Sequence, residues 1–130
     1  MLTRLSNIEF VSLPFDEIDM SCLSENDFVY ADPPYLLTCG SYNDGKRGFK
    51  GWTARDDALL FGVLDSLHAR GVRFGLSNVL EHKGRFHTAL EQWARKAGHG
   101  VYGMGQSYAN CNYHARHGAG GTREVYISNC

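Results

Sequence analysis

The 130-residue sequence predicts an α/β fold built on a mostly parallel sheet that ends in an antiparallel strand pair. Three observations lead there. Short apolar runs rich in β-branched and aromatic residues alternate with longer segments of helical periodicity, the pattern that builds β-α-β units. Two candidate strands, Asn7–Leu13 and Phe28–Asp32, are joined by about a dozen residues, which suits parallel neighbours. Two further candidates, Val101–Met104 and Glu124–Ser128, follow one another with only a loop between them, as in a pair that closes a sheet edge.

Composition sets the outer limits. With 43% hydrophobic and 21% charged residues, the chain reads as a single globular domain spanning 1–130. A net charge of −1 argues against a protein that coats polyanions over its whole surface, while leaving room for a local basic patch. No 18-residue apolar run is present, so no membrane span is expected, and Met1-Leu2-Thr3-Arg4 leads into no signal-like apolar core. Cys22, Cys39, Cys111 and Cys130 are widely spaced without a C-x-x-C, and reduced thiols in the cytoplasm are expected.

Taken in order, Asn7-Ile8-Glu9-Phe10-Val11-Ser12-Leu13 alternates loosely and predicts the first strand. After Pro14, Asp16-Glu17-Ile18-Asp19 suits a short helical turn with acids at its positive end. The polar connector Ser24–Asp27 gives way to a strand over Phe28–Asp32. Leu36 to Thr53 is a long loop punctuated by glycines. Its Tyr42, Lys46, Arg47, Phe49, Lys50 and Trp52 interleave cations with aromatics, a mixture fitted to gripping a phosphate backbone and stacking on bases. Thr53 is the N-cap of a helix, with Asp56 completing a capping box. Leu59, Leu60, Val63, Leu64 and Leu67 recur on one face as far as Ala69, and Gly71 closes the helix. Val72–Asn78 is the next strand, and its terminal Ser77-Asn78 would lie level with Asp32 if the two strands are parallel neighbours. A second helix is expected from Lys83 to Lys96, with Phe86, Leu90 and Trp93 on one stripe and an end near Gly98. Gly105 to Arg123 then forms a loop between the last two strands.

The informative stretch is Phe28-Val29-Tyr30-Ala31-Asp32-Pro33-Pro34-Tyr35. A buried strand halts at two prolines, which can neither continue a ladder nor open an ordinary helical turn. The chain therefore leaves the sheet at the strand's carboxyl end, where open α/β sheets bind ligands. Asp32 supplies an acceptor there, the Pro33 carbonyl lies free of sheet pairing, and Tyr35 offers a flat apolar face. Two acceptors beside a stacking ring suit the exocyclic amino group of a planar base.

Asp32-Pro33-Pro34-Tyr35 resembles the motif of S-adenosylmethionine-dependent amino-methyltransferases that act on nucleic-acid bases. The order of the elements around it resembles the carboxyl half of the Dam-type DNA adenine-N6 methyltransferases. The resemblance implies a partial Rossmann-like methyltransferase sheet, S-adenosyl-L-methionine as cofactor, and methyl transfer to N6 of adenine in DNA without a covalent enzyme intermediate. Asp32 and the Pro33 carbonyl would accept from the flipped adenine's N6, with Pro34 shaping the turn and Tyr35 stacking on the base. Leu13-Pro14-Phe15-Asp16 resembles the segment beside the cofactor, which makes Phe15, Asp16 and Asp32 cofactor candidates. By the same resemblance Asn78, Tyr108, Asn110 and Asn112 join Tyr42, Lys46, Arg47 and Lys50 as DNA-contact candidates, and Arg116 and Arg123 could reach phosphates.

The likeness covers only half of such an enzyme. The family's Gly-rich cofactor loop and target-recognition insert have no counterpart here: only seven residues precede Ile8, and Gly103-Met104-Gly105 and Gly118–Gly121 lack the strand-to-helix setting. A partner chain or a second copy is therefore expected to complete the sheet, because strands left without neighbours expose an edge and apolar surface. The competing expectation is a nucleic-acid-binding remnant that has kept the base pocket without catalysis. No metal is expected. Cys111-x-x-His114-x-x-His117 offers ligand types suited to zinc but no fourth ligand in the loop, and no G-x-S-x-G hydrolase elbow occurs.

Overall fold

The computed structural model of the chain describes residues 7–38, 51–104 and 121–130. Strand β1 (Phe28–Ala31), helix α1 (Ala54–Ala69) and strand β2 (Arg73–His82) form a β-α-β unit. A two-residue strand β3 (Arg85–Phe86) folds back on β2, and helix α2 (Thr88–Ala97) leads to β4 (Gly100–Gly103) and β5 (Thr122–Ser128). The sheet order is β1-β2-β5-β4, with β3 attached to β2.

Both helices pack on one face of this sheet. Leu60, Leu64 and Leu67 of α1 and Leu90 and Ala94 of α2 meet Phe74 and Leu76 of β2 and Val125 and Ile127 of β5 in one buried cluster. Alternation along the strands sends the intervening residues to the opposite face. Phe28, Tyr30 and Tyr102 stand there with 48%, 58% and 53% of their surface exposed. Tyr126 lies on the same side, directly over Gly75, where a β-carbon would overlap its hydroxyl.

The local helix signals behave as read. Thr53 and Asp56 form the reciprocal capping box, with the Thr53 N–H donating to Asp56 Oδ2 at 2.8 Å and the Asp56 N–H to Thr53 Oγ1 at 3.3 Å. Gly71 (φ 81°) and Gly98 (φ 76°) take the left-handed conformation just after the two helices, as glycine readily does. Arg70, at the end of α1, donates to the carbonyls of Met20, Ser21 and Leu23 at 2.8–3.1 Å and pins the connector before β1.

Four expectations need correction. The sheet is not mostly parallel: β1–β2 is its one parallel pairing among the described residues, against three antiparallel ones. Helix α2 does carry the chain to a strand running in the direction of β2, but β5 inserts between β2 and β4 and makes both of its pairings antiparallel. Asn7–Leu13 is not a strand; the segment is irregular, with Ile8, Phe10, Val11 and Leu13 between 50% and 86% exposed. Strand preference is realised only against a neighbouring strand, and among the described residues β1 pairs with β2 alone. The short helical turn falls at Phe15–Glu17 as a 3₁₀ turn, one residue earlier than Asp16. Finally, β2 does not stop at Asn78 but runs to His82, and α2 does not begin at Lys83. Lys83 (φ 51°) and Gly84 (φ 80°) are both left-handed, the two-residue hairpin geometry that matches strand twist, and they hold His82 opposite Arg85.

Candidate active site at the carboxyl end of the first strand

Strand β1 ends at Ala31, paired with Leu76, so Asp32 emerges beside Ser77 of β2. The Tyr30 and Ser77 hydroxyls bond across the strands at 2.6 Å. Pro33 and Pro34 turn the chain out of the sheet, and the Thr38 N–H closes a turn on the Tyr35 carbonyl at 2.9 Å. The Tyr35 hydroxyl donates to Asp32 Oδ1 at 2.9 Å. Burial, then the hydrogen bond to Asp32 and its charge, push the Tyr35 phenol up to about 12, with smaller contributions from Glu124 and Tyr30. Tyr35 therefore keeps its proton at neutral pH and acts as a donor. Asp32 is exposed at the rim and presents acceptor sites held in one orientation.

Directly beside Asp32 lies a cavity of about 340 Å³. Phe15, Met20, Ala31, Pro33 and Trp52 form its rim and walls, and leucines of α1 form its floor. The Phe15 and Trp52 rings are 5.6 Å apart, inclined at 43°. The Trp52 indole N–H donates to Asp57 Oδ1 at 2.7 Å, and Asp57 Oδ2 meets His87 Nε2 at 2.6 Å. Asp57 and His87 are only 2% and 4% exposed.

The structure thus gathers Asp32, Pro33, Pro34 and Phe15 around one cavity and sets Tyr35 against Asp32. Asp16 sits apart, on the 3₁₀ turn beside a second hollow of about 140 Å³. Asn78 does not fit the role of a DNA contact: it is fully buried, with its Oδ1 accepting from the Val79 N–H at 2.8 Å. The cause is β2 continuing past it, which turns a supposed strand-end residue into an interior one on the helix side. Arg123 is exposed on β5, its guanidinium 3.8 Å from Glu81 and 5.8 Å from the centre of the Phe86 ring. Tyr42, Lys46, Arg47, Lys50, Tyr108, Asn110, Asn112 and Arg116 lie outside the described residues, as do Cys111, His114 and His117.

Sequence reasoning missed Trp52 as a cavity wall and missed Asp57 and His87 entirely. A signal existed for the first. Trp52 precedes the N-cap Thr53, and Asp57 stands at the fourth helical position, the pair of sites that a hydrophobic staple usually joins. Here a hydrogen bond joins them instead.

Comparison with known proteins identifies a family. Residues 1–101 match the family model described as D12 class N6 adenine-specific DNA methyltransferase. Over 123 residues the chain is 43% identical to the type II methyltransferase M.FokI of Planomicrobium okeanokoites, covering 95% of this chain and 18% of that protein. Over 130 residues it is 42% identical to the modification methylase StsI of Streptococcus sanguinis, covering 98% of this chain and 20% of the relative. The modification methylase LlaI of Lactococcus lactis subsp. lactis is 40% identical over 106 residues, with 82% and 17% covered. The chain spans about a fifth of the length of the curated relatives it matches.

Proposed function

Because this chain belongs to the D12 class N6 adenine-specific DNA methyltransferase family, we propose that it carries the base-holding half of an enzyme that methylates N6 of adenine in DNA. The observation that carries the reading is the pairing of Asp32 with Tyr35 at the end of β1, beside an apolar cavity walled by Phe15 and Trp52. Asp32 and the Pro33 carbonyl accept from the N6 amino group of an adenine rotated out of the duplex, and Tyr35 stacks on the base. Fixed acceptors oriented before the base arrives favour the developing charge on N6 without reorganisation.

S-adenosyl-L-methionine fits the residues present. An apolar cavity walled by two aromatic rings in contact suits a planar adenine, so Phe15 and Trp52 would form the wall against which that ring packs, with Asp32 near the opening and Asp16 on the adjacent turn. When bound, the cofactor supplies an electrophilic methyl group on a sulfonium. Lys46, Arg47 and Lys50 with Tyr42, Tyr108, Asn110, Asn112 and Arg116 and the exposed Arg123 are the proposed DNA-facing groups. We read the protein as cytoplasmic, and its sheet as one half of a Rossmann-like methyltransferase sheet. The exposed row of Phe28, Tyr30 and Tyr102 supports a covering partner, either a further polypeptide or a second copy.

The test is a graft. These 130 residues replace the corresponding segment of the streptococcal relative, and adenine methylation of DNA is measured with a labelled methyl donor. The grafted enzyme should methylate adenine, and its Asp32→Ala form should bind S-adenosylmethionine in calorimetry yet transfer no methyl. A graft that binds DNA and cofactor but never methylates would leave a nucleic-acid-binding remnant instead.

A further inference from the structure

We propose that Asp57 and His87 are positioning residues that fix Trp52 as the rigid wall of an adenosine-binding slot. The inference rests on reading the cavity beside Asp32 as the place of the cofactor's adenine.

Asp57 is 2% exposed, and a carboxylate so placed is costly unless its oxygens are paired. Both are paired, and with specific donors. Oδ1 takes the Trp52 indole N–H at 2.7 Å, and Oδ2 takes His87 Nε2 at 2.6 Å. The direction of the second bond follows from the other side of the imidazole. His87 Nδ1 caps helix α2 by accepting the Leu90 N–H at 3.2 Å, so the ring proton of the neutral tautomer resides on Nε2 and is donated to Asp57. An unbroken run of hydrogen bonds therefore extends from the amino end of α2, through His87 and Asp57, to the indole.

Such a run selects one orientation of the Trp52 ring. An apolar contact would let the ring pivot, whereas an N–H aimed at a buried carboxylate fixes both the side-chain rotamer and the plane. That plane sets how the indole packs against Phe15, with 5.6 Å between ring centres, and so the shape of the aromatic wall that the two rings together present to the cavity. The second tryptophan provides a contrast. Trp93 stacks on Phe61 at 4.6 Å and donates to Asp65 at 2.8 Å, and it does not line this cavity.

The experiment uses the full chain with Trp93→Phe, which leaves Trp52 as the single tryptophan. Time-resolved fluorescence anisotropy should show an indole that moves only with the whole molecule, and adenosine should change its emission saturably. His87→Asn keeps a cap for α2 but cannot reach Asp57. It should free the indole, raise acrylamide quenching, and weaken adenosine binding at least about fivefold, as expected for losing a hydrogen bond to a charged group. Far-UV circular dichroism at the same temperature should be unchanged, and Asp57→Asn gives a second variant should the first fail to fold. An indole already mobile in the starting protein, or one indifferent to His87→Asn, overturns the positioning role and leaves the slot reading intact. A rigid Trp52 that adenosine never perturbs overturns the slot reading, and the proposal with it.

Discussion

Removing His87 from its buried pair with Asp57 should be the most damaging single truncation outside the apolar core. The two side chains are 4% and 2% exposed and 2.6 Å apart. His87→Ala leaves Asp57 Oδ2 buried without its donor, the loss of a hydrogen bond to a charged group worth about 1.5–3 kcal/mol. It also removes the cap on α2, worth about 1 kcal/mol. Against a typical domain stability of about 5–15 kcal/mol, this is a large share. With a urea slope of about 2 kcal/mol per molar, the denaturation midpoint should fall by about 1–2 M. Urea titration followed by circular dichroism measures this, and two further variants apportion it. His87→Asn preserves the cap, so its cost isolates the link to Asp57. Asp57→Ala combined with His87→Ala should cost about 1–3 kcal/mol less than the sum of the two single changes, the signature of partners in one network. Additive costs, or a His87→Asn protein as stable as the parent, would show that the carboxylate is not held by the imidazole, and the derivation would fail.

Four other outcomes are expected. Tyr35→Phe removes the bond to Asp32 but keeps the ring; because Asp32 is exposed, stability should shift by no more than about 1 kcal/mol, while Tyr35→Ala in the grafted enzyme should weaken binding of an adenine-containing oligonucleotide by about 5- to 150-fold through lost stacking. Tyr35 itself, raised from 10.0 to about 12, should be a late-titrating tyrosine in ultraviolet absorbance, and the stability tied to its neutral form is present below the ordinary value and lost as pH climbs toward the raised one. His99 is shifted the other way, below 6.5, first by burial and then by the neighbouring His68. The unfolded chain then takes up the proton before the folded one does, so stability is complete above 6.5 and falls as the solution is acidified below it; a midpoint that does not decline between neutral and mildly acidic urea titrations would contradict this. Gly84→Ala places a β-carbon at φ 80°, costing about 1–2 kcal/mol, visible as a melting temperature lower by several degrees.

What could be read from the sequence was what is decided locally or by covalent geometry. The Thr53–Asp56 box and the glycines at 71 and 98 act over a few residues, and they behave as their spacing suggests. The exit of the chain at Asp32-Pro33-Pro34 follows from proline stereochemistry, and the parallel β1–β2 pair places Ser77 beside Asp32 as expected. What escaped depended on partners distant in sequence. Asn7–Leu13 has the composition of a strand, but composition cannot supply a neighbouring strand. Lys83-Gly84 carried a hairpin signal in its glycine, and it was outweighed by the apolar stripe of Phe86, Leu90 and Trp93, of which Phe86 lies on β3. The insertion of β5 between β2 and β4 is a choice of topology to which strand spacing is blind. Asp57 and His87, 30 positions apart, look individually like a first-turn acid and a stray histidine.

The arrangement at β1 also explains how one short motif can keep its acceptors ready. A carboxylate at an exposed strand end would ordinarily sample many orientations and be screened by water. The Pro-Pro turn removes that freedom from the backbone, and the Tyr35 hydroxyl removes it from the side chain by occupying a single lone pair of Oδ1. The donor is a neutral phenol, so it fixes the direction of the carboxylate without setting an opposite formal charge beside it, as an arginine or lysine in the same place would. The remaining lone pairs then point away from the tyrosine and are available to an amino group. On the proposed reading Tyr35 would have two uses, as stacking surface through its ring and, as the structure shows, as orienting donor through its hydroxyl. Phenylalanine could serve the first but not the second, and this is why Tyr35→Phe and Tyr35→Ala separate base affinity from acceptor geometry.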